Sequence, residues 1–160
     1  MQASTAYVSH AGATRLRPFR ALLAWLSLAV MAACVAIPVS RYDAGTYAHL
    51  TSLKAETAVL LESFDSKPVK ANEARIDEVS LSLRKAYEYE RGKGADNRDT
   101  TAQLTRILDL FKEDVSTYRE NGPGTLGKRY FSEAAIVLEQ AFDIVIASEN
   151  AKNKDRRQAP

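Results

Sequence analysis

The sequence predicts an all-α protein: an antiparallel up-down-up-down four-helix bundle preceded by an N-terminal apolar helix that serves as signal or anchor. Three observations predict it. No charged residue occurs from Ala21 to Val39, while all 20 acidic residues lie after that stretch. Beyond Ser40, apolar residues recur every three or four positions, the period of one helix face, with no strand-like alternation. Proline and glycine clusters then cut this region into four segments joined by short loops, which favours antiparallel neighbours.

Residues 1–14 are small and polar without periodicity and are expected to be disordered. Residues 15–40 form a signal peptide or membrane anchor. Arg15, Arg17 and Arg20 precede the apolar run, and small residues close it, the layout of a secretory signal. Three arginines resist translocation, so the remainder faces away from the cytoplasm. Without them the chain holds 19 basic against 20 acidic residues. The remaining domain is therefore nearly neutral and gives no electrostatic footprint for nucleic acid.

The end of the apolar run supports two outcomes. Val30-Met31-Ala32-Ala33-Cys34 resembles the lipobox of bacterial lipoproteins, with methionine where leucine is usual. That resemblance implies lipidation at Cys34, and the absence of aspartate after the cysteine implies outer-membrane delivery. Alternatively, the 19 residues from Ala21 to Val39 remain as an inner-membrane signal anchor. At 1.5 Å per residue they just span a hydrocarbon core of about 30 Å. The lipoprotein outcome is favoured, and the membrane is a partner in both. With one cysteine in the chain, no intramolecular disulfide can form.

The bundle occupies 41–148, with helices expected at about 44–64, 69–91, 99–120 and 125–148. Asp43 is a candidate cap for the first, whose stripe is Tyr47, Leu50, Leu53, Thr57, Leu60 and Phe64. Pro68 ends it, because the residue before a proline is forced out of helical geometry. The second faces inward through Ile76, Val79, Leu83, Ala86 and Tyr87 and stops at Gly92 and Gly94. Asp99 is a candidate cap for the third, whose stripe is Leu104, Ile107, Leu108, Phe111, Val115 and Tyr118. The fourth carries Tyr130, Ala134, Val137, Leu138, Ala141, Ile144 and Val145, widened by Phe131 and Phe142. Residues 149–160 read as a polar, basic, solvated tail.

Chemistry-bearing constellations are sparse. Asp109 with Glu113 and Glu139 with Asp143 stand at i, i+4, but a di-metal bundle also needs Glu-x-x-His pairs, and the sequence has none. His10 and His49 are isolated, so neither a metal site nor any other cofactor is expected. His49 with Glu56 or Asp43, beside Ser52 or Thr51, has the residue types of acid–base or nucleophilic catalysis, but no nucleophile elbow holds them, and no catalytic residue is assigned. Among the tyrosines, Tyr42 and Tyr89 fall off the apolar stripes and are the candidate partner contacts.

The run from Tyr42 to Glu56, soon after the lipobox-like cysteine, resembles the start of small uncharacterised helical lipoproteins of Gram-negative bacteria. The resemblance covers Val30 to Phe64 and implies a compartment and a fold, but no activity. The expectation is a non-enzymatic cell-envelope protein, its domain facing the periplasm, whose bundle binds another envelope component. A ligand-sensing domain working through a membrane partner is the alternative. So is a phage-type lysis protein, although Pro68, Gly92, Gly94 and Pro123 interrupt the long coiled coil that role needs.

Overall fold

The computed structural model describes residues 40–158, with side-chain surroundings through residue 153. Residues 1–14, the signal or anchor segment and Cys34 lie outside this range. Among the described residues the protein is all-α, with four helices and no strands. None of these helices is long and apolar enough to cross a membrane. In order they are α1 (Ala44–Phe64), α2 (Val69–Gly92), α3 (Arg98–Asn121) and α4 (Tyr130–Gln158), with a 3-10 turn at Ala95–Asn97 before α3. Each helix packs on its sequence neighbours, and α4 closes the bundle by packing most extensively on α1.

Local chemistry accounts for the boundaries. Asp43 is extended, and its carboxylate accepts a 2.8 Å hydrogen bond from the Gly45 N–H, capping α1. Gly94 and Gly122 take positive φ values of 86° and 70°, which allow the sharp exits after α2 and α3. Gly92, by contrast, is the last residue of α2. The third helix begins one residue before Asp99, which lies in its first turn; Asn97 occupies the cap position without a side-chain capping bond.

The fourth helix differs most from expectation. It starts at Tyr130, because Gly122, Gly124 and Gly127 all hold positive φ in the loop before it. The expected solvated tail from 149 instead continues as helix to Gln158, with Glu149 buried. Its inward face is also narrower than the expected one, which spanned two stripes. Phe131, Ala135, Leu138, Phe142 and Val145 are buried, whereas Tyr130, Val137 and Ile144 are exposed. The two stripes are offset by one residue, about 100° of rotation.

Non-local contacts select the inner stripe. The Asp65 carboxylate, at the end of α1, accepts hydrogen bonds from the Phe131 N–H (3.0 Å), the Ser132 N–H (2.9 Å) and the Ser132 hydroxyl (2.5 Å). It thereby caps α4 from another helix, placing negative charge at the helix's positive end. Phe131 then stands edge-on to both Phe64 and Tyr118, with centroids 5.5 Å apart, while those two rings stack at 3.8 Å. The Tyr118 hydroxyl donates to the Lys67 carbonyl (2.6 Å) and accepts from Asn72 (2.9 Å), so this buried ring keeps its polar end satisfied. All six residues of the α3 stripe are buried; in α1, Tyr47 is exposed and Thr46 takes the inward place.

Candidate functional site

At the opposite end of the core, each helix contributes polar residues where its apolar stripe continues. Thr46 precedes Leu50 by four residues, Glu90 follows Ala86 by four, Thr100 precedes Leu104 by four, and Glu149 follows Val145 by four. These spacings keep all four side chains in the core, and all four are buried, as is Asn97. A buried carboxylate is costly unless it is paired and hydrogen-bonded, and here both acids are.

The Glu90 carboxylate accepts from Lys93 (3.0 and 3.1 Å), from the Asn97 amide (2.6 Å) and from the Thr46 hydroxyl (2.5 Å). Lys93 also contacts Thr46 and forms a 2.7 Å ion pair with Asp43. The second acid, Glu149, accepts from the Asp43 backbone N–H (2.7 Å) and from Lys152 (2.7 Å). Lys152 donates onward to Ser40 (2.9 Å) and Thr100 (3.2 Å), and the Ser40 hydroxyl donates to Asn97 (2.7 Å). The Ser40 N–H is bound in turn by the Asp96 carbonyl at 3.0 Å. The chain is thus clamped to the bundle from Ser40 onward.

Charge pairing shows in the acidities. Hydrogen bonds from Lys93 and Tyr89 hold Asp43 well below the usual carboxylate range. Burial disfavours the charge on Lys93, but its bonds to Asp43 and Glu90 outweigh that and raise its pKa. The Tyr89 hydroxyl, which donates to Asp43 at 2.7 Å, is made less acidic by the same carboxylate.

Tyr89 connects this clamp to the surface. The Lys93 ammonium stands 4.6 Å from its ring centroid, and the His49 ring meets it edge-on at 5.2 Å. Gly45 makes room for the contact: a Cβ there would lie 3.1 Å from both the Tyr89 hydroxyl and an Asp43 oxygen. Beyond Tyr89 a cleft of about 360 Å³ opens between α1 and α2, lined by His49, Ser52, Glu56, Lys85 and Tyr89 over an apolar floor of Leu53 and Ala86. The Ser52 hydroxyl donates to Glu56 at 2.9 Å, the ordinary i, i+4 contact along one helix. The backbone N–H groups of this mid-helix segment are engaged in the helix, leaving the cleft without backbone donors for an oxyanion.

The sequence candidates are therefore divided. Tyr89 joins clamp to cleft and remains 43% exposed, whereas Tyr42 is half-buried just before the cap and the network does not run through it. Asp109, Glu113 and Asp143 are exposed, Asp143 in a 2.6 Å ion pair with Lys54 and Asp109 near Lys112. Among the described residues no group of three or more His, Cys, Asp or Glu side chains is placed to hold a metal ion. Sequence reasoning missed Glu90, Lys93, Asn97, Glu149 and Lys152. Their signal was present as two Glu-x-x-Lys tetrads, each with its acid in phase with the apolar stripe before it.

In comparisons with known proteins, no family model, curated protein or solved structure matches this chain.

Proposed function

We propose that this chain is a membrane-tethered, non-enzymatic cell-envelope protein. In this reading an antiparallel up-down-up-down bundle follows an N-terminal signal or anchor, attached through that segment or a lipidated Cys34, and docks another envelope protein on the periplasmic side. The observation that carries the proposal is the clamp on Ser40 and Asp43, which fixes the bundle to the chain emerging from the N-terminal segment. Ordering of the chain from Ser40 onward, where it enters the bundle, suits a docking module carried on a preceding segment. The cleft offers an aromatic face at Tyr89 and charges of both signs at Glu56 and Lys85, suited to a polar peptide surface.

The test is site-specific photocross-linking of the full chain in intact cells, with the probe at Ser52 in the cleft or at Asp109 on α3. Capture of one consistent envelope protein from Ser52 alone is expected; the same background set from both positions would overturn the proposal. Intact mass of the membrane-extracted chain beside a Cys34→Ala variant separates the two attachments. A lipidated species lost in the variant marks the lipoprotein, and an unchanged full-length mass marks the anchor.

One contact favours a second reading as a ligand sensor. The ring of Tyr89 lines the cleft while its hydroxyl is held by Asp43, so a ligand that moved the ring would pull on the clamp. Thermal stabilisation of the full chain by a small molecule, abolished by Tyr89→Ala, is the expected signature.

A further inference from the structure

The outer stripe of α4 has the form of a second helix-pairing seam. Tyr130, Ala134, Val137, Ala141, Ile144 and Ser148 follow one another at spacings of four and three, the repeat by which one helix packs along another. The inner stripe, one residue out of phase, is consumed by the protein's own core, and Ala134 and Ala141 of the outer stripe pack partly against it, leaving the large residues outward. Tyr130, Val137 and Ile144 are 43%, 54% and 61% exposed, with exposure rising along the helix rather than being confined to a frayed end. Helix periodicity does not require large apolar residues on this face, since the core is already complete without them.

We propose that this seam pairs with the same seam of a second copy, running antiparallel about a twofold axis near residue 139. Size supplies the first argument. Large and small residues alternate strictly: Tyr, Ala, Val, Ala, Ile, Ser. In a parallel pair equivalent positions meet, so tyrosine would face tyrosine and alanine would face alanine, leaving clashes and gaps. In an antiparallel pair the two classes meet. Tyr130 then faces Ser148 of the second copy, Val137 faces Ala141, and Ile144 faces Ala134, so each large side chain fills the space beside a small one.

Charge supplies the second argument. The seam runs beside α3, with Leu110, Glu113 and Asp114 forming a groove against Tyr130, Ala134 and Val137. Arg106 lies on the same row of α3, about two turns before these acids, and is exposed. None of the three charged residues forms an ion pair among the described residues. Burial, reinforced by Glu113, pushes Asp114 up to about 6, the behaviour of a carboxylate lacking a cationic neighbour.

The end of α3 meets the start of α4 at Tyr118 and Phe131. Asp114 therefore stands level with Ala134, and Arg106 level with the Ile144 turn. The proposed axis brings these two levels together, setting Arg106 of one copy toward the acids of the other, twice per dimer. On the axis itself a charged residue facing the seam would meet its own copy; Gln140, which flanks the seam there, is neutral, and Glu139 lies on the far side of α4, about 200° round the helix from Val137.

The test is disulfide trapping of the full chain in intact cells, scored above the background of the unmodified chain, whose only cysteine is Cys34. A Gln140→Cys chain is expected to cross-link to itself. Tyr130→Cys and Ser148→Cys chains are each expected to stay monomeric alone and to form a mixed dimer when co-expressed. Self-cross-linking at Tyr130→Cys or Ser148→Cys would mean a parallel pair, and adducts only with other proteins would mean a different occupant; either overturns the proposal. For the purified full chain, light scattering is expected to give twice the monomer mass. Val137→Glu should weaken association at least about tenfold while leaving the melting transition in place, because that side chain contributes nothing to the core. A monomeric wild-type chain with no trapped species at Gln140→Cys would refute the pairing outright.

Discussion

The two ends of the bundle close the same four helices by opposite means. At the loop end, Phe64, Tyr118 and Phe131 fill the core with rings, and the polar groups there are satisfied by the Asp65 carboxylate, the Asn72 amide and the Lys67 carbonyl. At the end where the chain enters, the core is a layer of threonines, acids, lysines and one asparagine. Rings gain free energy from burial with loose demands on angle. A buried ion pair gains little net and fixes geometry closely, since any displacement strands a charge. The ring end therefore carries stability, and the polar end fixes how the helices meet Ser40 and where the cleft sits.

The largest effect expected from breaking this contrast is Phe64→Ala, which removes one face of the aromatic stack and should cost about 3–5 kcal/mol. Urea unfolding of the chain measures it, and a loss below 1 kcal/mol would mean that the rings do not anchor the core. Next comes Glu149→Leu, which strands Lys152 and should cost about 3 kcal/mol, most of it recovered in Glu149→Leu with Lys152→Met. The double variant sharpens the comparison: it should restore stability while loosening Ser40 and Asp43, read as faster amide exchange at both. Full protection in the double variant would show that the clamp is not electrostatic.

The smallest effect separates the ends by pH. Asp43 has a folded pKa below its ordinary value of 3.8, so its contribution is complete above that value and fades as pH falls below it. Lys93 has the opposite sign: its folded pKa is raised, so its contribution holds at and below 10.5 and is lost at more alkaline pH. Exchange protection at Asp43 and Gly45 should follow these two limits and lose its acid limb in Asp43→Asn. Protection near Phe64 and Tyr118 should not share those limits.

Much of the fold was legible from spacing alone. Every apolar residue on the α3 stripe is buried, because that helix has one apolar face and no competitor. The fourth helix carries apolar residues on two adjacent faces, so periodicity alone leaves open which of them turns inward. Asp65, more than sixty residues earlier, decides it through the α4 cap. The site was less legible. Tyr89 stood out because it left the stripe, whereas Glu90 and Glu149 were hidden by lying on theirs. An acid in phase with leucines reads as the end of a stripe until three other helices are known to bring it partners.

The pairing of α1 with α4 also bears on how the chain reaches its folded state. Asp65 waits for N–H groups 66 and 67 residues further on, and the Asp43 N–H waits for a carboxylate 106 residues away. Contacts closed over such separations form late, since the intervening loop must first lose its freedom. Until α4 arrives, the face of α1 that packs on it stays uncovered, directly after the apolar N-terminal stretch. During synthesis the nascent helix would then be sticky for as long as it takes the last quarter of the chain to follow, an interval in which a holdase chaperone has a defined stretch to shield.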